Sequence, residues 1–128
     1  MKKLIVLSLI VLLQGCTALV AVKDWIPSRW DVNQSKLVTD LQLQAYNFDC
    51  KQDHRSQLTA ISNNIQWFHL YSQSKGTKDV DHLLEPMQAT VKEFLGRAQP
   101  VSPIYCEIKH KFMIQQADIA AKTIQGRF

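Results

Sequence analysis

Between Pro27 and Gly76 the chain contains neither glycine nor proline, so the two residues that most reliably interrupt a helix are missing from its first half. Apolar residues recur there at spacings of three and four, first Leu37, Leu41, Ala45 and Phe48, then Leu58, Ile61, Ile65 and Phe68. That pattern predicts one long helix of roughly 35 to 40 residues starting at Ser35. Lys51 to Gln57 is uniformly polar and marks where a bend in such a helix would fall.

Helical patterning continues to the end. Ser74-Lys75-Gly76-Thr77 reads as cap, turn and restart. Val80, Leu83, Leu84, Met87, Val91, Phe94 and Leu95 form the cleanest amphipathic stripe. Pro86 lies inside it, so either the helix kinks there or a short turn precedes a helix with Pro86 at its start. Ser102-Pro103 supplies an N-cap followed by proline at the first helical position. The last helix carries Ile104, Tyr105, Ile108, Phe112 and Ile119 on one face and Met113, Ala117, Ala120 and Ile124 beside it, ending at Gly126. The expectation is an all-α, up-down-up three-helix bundle with a long first helix.

The N-terminus has a different character. Lys2 and Lys3 precede a short apolar run, Leu4 to Leu13, which is about half of the roughly 20 residues a spanning helix needs. The run is followed by Leu13-Gln14-Gly15-Cys16, which resembles the lipobox of bacterial lipoproteins, with Gln14 standing where a small or branched residue is usual. The resemblance covers only this end of the chain. It implies cleavage before Cys16, a diacylglyceryl group on its thiol and a further acyl chain such as palmitate, which together give firm membrane anchorage. Thr17, rather than an aspartate, follows Cys16 and implies the outer membrane, with the protein facing the periplasm. The expected organisation is a signal peptide over 1–15, a lipidated tether over 16–34 and a helical domain over 35–128. Trp25 and Trp30 in the tether either sit at the headgroups or pack on the domain.

Assigning Cys16 to lipid leaves Cys50 and Cys106, an even pair, which in an exported chain reads as a disulfide. Helix rise supports this, because an up-down-up path returns Cys106 to about the height of Cys50. The same spacing offers an alternative. Cys50 and His54 are four residues apart, as are Cys106 and His110, and the two pairs could converge as a Cys₂His₂ zinc site.

The chain has 15 basic and 11 acidic side chains, but Lys2 and Lys3 leave with the signal, so 13 against 11 gives a mature charge of only +2. The basic residues are dispersed, which argues against a nucleic-acid partner. No nucleophile elbow, phosphate-binding glycine loop or His-Glu-x-x-His motif is present, and His69, His82 and the carboxylates stand where solvation and helix dipoles explain them. The expectation is a protein that is not an enzyme and needs no cofactor. A three-helix bundle needs only residues 50–126, so residues 35–49 would project from it with Leu37, Leu41, Tyr46 and Phe48 seeking a partner. That partner would be an envelope protein or a second copy; otherwise the segment folds back through a bend near residue 50 and completes a four-helix core. The reading is a lipid-anchored, non-catalytic envelope protein presenting a helical interaction module. A zinc-binding lipoprotein is one alternative. In size and layout the chain is also similar to phage-encoded outer-membrane spanin-type lysis and exclusion lipoproteins, though it lacks their proline-rich stretch.

Overall fold

The computed structural model describes residues 29–127, which are all-α, with four helices of ten residues or more. We label these α1 (Val32–Tyr46), α2 (His54–Lys75), α3 (Glu85–Leu95) and α4 (Pro103–Gln125); a one-turn helix, Lys78–Asp81, lies between α2 and α3. No helix among the described residues is long and apolar enough to cross a membrane. The signal, Cys16 and most of the tether, with Trp25, lie outside the described residues.

Local chemistry explains the boundaries. Asp31 caps α1, its carboxylate accepting from the Asn33 and Gln34 N–H groups, so α1 starts three residues before the expected domain edge at Ser35. Asp53 caps α2 in the same way through Arg55 and Ser56. Gly76 ends α2 in the left-handed conformation (φ 67°), where a side chain would be strained. Pro86 lies in the first turn of α3, so the helix starts there and is not kinked. Ser102 and Pro103 open α4 as expected.

The single long first helix does not form. Asn47 caps the C-terminus of α1, Asp53 starts α2, and the polar segment between them turns a corner. Gln57 holds that corner from within α2, accepting from the Asp49 N–H at 2.8 Å and donating to the Asp49 carbonyl at 3.0 Å. Consequently α1 folds back on the bundle. Asn33 and Gln34 meet Tyr71 and Ser72 of α2, while Thr39, Gln42 and Ala45 meet Gln125, Asp118 and His110 of α4. Descending partner numbers show α1 antiparallel to α4, and α1 is antiparallel to α2 because its start meets the end of α2 while Asp49, just past its end, meets Gln57 near the start of α2. Glu93 with Lys109, and Thr90 with Gln116, set α3 antiparallel to α4. The bundle is therefore up-down-up-down, closed by α4 against α1.

Every helix contributes to one core: Val38 and Leu41 from α1, Leu58, Ile61, Ile65 and Phe68 from α2, Met87, Val91 and Phe94 from α3, Met113, Ala117, Ala120, Ala121 and Ile124 from α4. Each large side chain so buried contributes about 1.5–3 kcal/mol relative to exposure. Gln34 is the largest of the buried polar side chains, which also include Ser72 and Thr90. Its amide donates to Ser72 at 3.1 Å and Thr77 at 2.6 Å, tying the start of α1 to the end of α2.

Candidate functional site

Cys50 and Cys106 are joined by a disulfide, with Cα atoms 5.9 Å apart. Cys50 lies in the corner between α1 and α2, and Cys106 in the first turn of α4. A crosslink over a sequence separation of 56 stabilises by about 4 kcal/mol on the chain-entropy estimate.

The two histidines of the alternative zinc set take other partners. His54 Nε2 donates to the Cys50 carbonyl at 2.8 Å, and its ring packs against Phe48 and Phe94. His110 Nε2 donates to the Ala45 carbonyl at 2.8 Å near the C-terminus of α1. With both sulfurs bonded to each other, neither is a thiolate, which is the form a metal binds. Among the described residues, no group of three or more His, Cys, Asp or Glu is arranged to hold a metal ion. His54 thus serves a carbonyl in the corner after α1, and His110 one in the last turn of α1.

The four residues expected on a projecting surface separate. Leu41 and Phe48 are buried and Leu37 is partly buried against the core, so they belong to the fold and do not form an exposed patch. The physical reason is the corner at 47–53, which gives α1 partners on two sides. Tyr46 alone is exposed, with its hydroxyl donating to Asp118 at 3.0 Å; that hydrogen bond and the carboxylate's charge hold the phenol above its ordinary pKa.

Val32 and Leu43 of α1 and Trp67 and Leu70 of α2 are exposed, and a longer row of exposed apolar residues lies on the outer side of α4. Ile104, Ile108, Phe112 and Ile119 are 71, 48, 46 and 62% exposed, although the sequence pattern places them beside the core residues. Spacings of four and seven line them up on one side of the helix, opposite Cys106, Met113, Ala117, Ala120 and Ile124, in a row about 22 Å long. The signal that distinguishes the two faces is residue size. Ala117, Ala120 and Ala121 let the α4 backbone approach its neighbours closely, so the small face packs inward and the bulky one is left outside.

Polar groups border this row. On the α3 side, Lys109 pairs with Glu93 and lies over the rings of Tyr105 and Phe112, and Arg97 stacks on Tyr105 with its guanidinium carbon 4.3 Å from the ring centre. The bond from Lys109 outweighs burial and holds Glu93 below its ordinary pKa. On the α1 side, Asp118 accepts from both Gln42 and Tyr46. An apolar strip with a hydrogen-bonded polar rim is the anatomy of a protein interface. Comparison with protein-family models, with curated proteins and with solved structures found no match to this chain.

Proposed function

We propose that this chain is a lipid-anchored envelope protein, tethered through Cys16, whose disulfide-stapled bundle offers the outer face of α4 to a partner in the periplasm. The observation that carries the reading is the row Ile104, Ile108, Phe112 and Ile119, four large apolar side chains exposed on a helix whose opposite face already fills the core. Large apolar side chains exposed together on one helix face, here interrupted by Gln115, are costly in water and mark interaction sites. The surface lies on α4, away from the residue 35–49 segment that the sequence pattern suggested. The lipobox-like Leu13-Gln14-Gly15-Cys16 supports the anchor and the address. The role is one of binding, with no catalytic step.

Two measurements test this. Cells expressing the chain should incorporate labelled palmitate into it, and C16S should abolish the label and release the protein from the membrane fraction. A photo-crosslinking residue at position 108 should give a discrete adduct in cells, whereas the same residue at position 51, on the exposed corner, should not. Adducts that are equal at both positions, or absent at 108, would sink the α4 face as the binding surface, whatever the outcome at Cys16.

A further inference from the structure

We infer that the Cys50–Cys106 disulfide is a thiol–disulfide exchange site with a fixed polarity: an external thiolate attacks Cys50, and Cys106 is the leaving sulfur, received by His54. The inference rests on the geometry around the disulfide and is independent of the α4 surface.

Three features make the two sulfurs unequal. The first is access. Cys50 is half-buried and is followed by the exposed corner residues Lys51, Gln52 and Asp53, whereas Cys106 is 1% exposed. The second is electrostatic. Cys106 is the fourth residue of α4, in the first turn, where the aligned peptide dipoles give the helix its positive end. Cys50 follows the negative C-terminal end of α1 and has no helix N-terminus of its own. The third is a donor. His54 Nε2 lies 3.7 Å from Cys106 Sγ and 2.8 Å from the Cys50 carbonyl oxygen. A carbonyl oxygen only accepts, so Nε2 carries the hydrogen, and the same N–H reaches the sulfur. Burial alone opposes a thiolate at Cys106; the imidazole N–H and the helix end supply the dipoles that offset this, as at other activated cysteines.

The step balances with a thiol as the reductant. The attacking thiolate forms a bond to Cys50 Sγ, the Cys50–Cys106 bond breaks, and its electron pair stays on Cys106 Sγ, which accepts from His54. A second thiolate then attacks the mixed disulfide on Cys50, releasing the Cys50 thiolate and the oxidised reagent. Exchange is faster when the departing thiol is the better-stabilised anion, and this arrangement makes Cys106 that thiol.

The test uses the full-length chain with C16S, so that these are its only cysteines, oxidised and incubated with reduced glutathione in native buffer. After acid quench and alkylation, peptide mapping should place glutathione on Cys50 and the alkyl group on Cys106. His54→Phe, which keeps an aromatic ring beside Phe48 and Phe94 but removes the donor, should slow adduct formation about tenfold, and His54→Gln, which keeps an N–H, should recover most of the rate. Circular dichroism checks that each variant is folded. Glutathione found as often on Cys106 as on Cys50, adducts that form only once the helical signal is lost, or a folded His54→Phe reacting at the wild-type rate would each overturn the inference. If His54→Phe does not fold, the adduct position in the chain with His54 intact decides.

Discussion

His110 Nε2 donates to the carbonyl oxygen of Ala45 at 2.8 Å, so a residue of α4 satisfies a carbonyl near the C-terminus of α1. The bond exists only because α1 folds back through the 47–53 corner. His110→Phe leaves the carbonyl without this donor and should destabilise the domain by about 1–2 kcal/mol. For a domain of this size that corresponds to a melting-point decrease of about 5–10 °C. Thermal unfolding followed by circular dichroism checks it; an unchanged melting temperature would mean that the contact contributes nothing.

The two faces of α4 should respond oppositely to substitution. Met113→Ala empties a fully buried site and should cost about 2–5 kcal/mol. Ile108→Lys or Phe112→Glu falls on the exposed face and should stay within about 0.5 kcal/mol. Urea denaturation of the three variants settles which face is core. The surface variants should also lose the crosslinked adduct without losing stability.

Removing the staple should be a large effect. Cys50→Ala with Cys106→Ala should lower unfolding stability by about 4 kcal/mol. A comparison of urea midpoints under non-reducing conditions tests this, and the double variant should match the reduced wild-type chain. If reduction destabilises far more than the double substitution does, the thiols themselves disturb the packing around Phe48 and Phe94.

Asp31 makes the start of α1 sensitive to acid. Partial burial raises its pKa, but the Gln34 N–H, the Tyr71 hydroxyl, the Asn33 N–H and the charge of Lys75 together outweigh burial and leave it below the ordinary value. A carboxyl depressed in the folded state contributes stability that is present above about pH 4 and is lost as pH falls through the lowered folded value. Asp31→Ala should therefore cost about 1 kcal/mol near neutral pH. The difference between variant and wild type should shrink as the pH drops below about 4, measured by denaturation across that range.

Whatever depended on neighbours along the chain was legible before the structure. The all-α class follows from apolar spacing, and the turns at Gly76 and Ser102-Pro103 follow from residues whose backbone preferences act locally. Counting also found the disulfide, because assigning Cys16 to lipid leaves one possible pair. The polar run Lys51 to Gln57 marks a bend point, but its side chains alone do not say whether a helix bends or breaks. The choice is made by Gln57 holding Asp49, and by the core surface that α1 gains against α2 and α4 when it reverses.

The tertiary structure alone decided which apolar face of α4 is inside. Both faces have helical spacing and aliphatic side chains, so periodicity cannot rank them. The ranking comes from volume. With α1 folded back, α4 is enclosed on its Met113, Ala117, Ala120, Ala121 and Ile124 side, where three alanines reduce the volume to be packed, and Ile104, Ile108, Phe112 and Ile119 are left facing water. His54 and His110 were separated from a metal site in the same way. Sequence spacing brings each near a cysteine, but the carbonyl oxygens of Cys50 and Ala45 take their N–H groups, because backbone carbonyls turned away from water need donors.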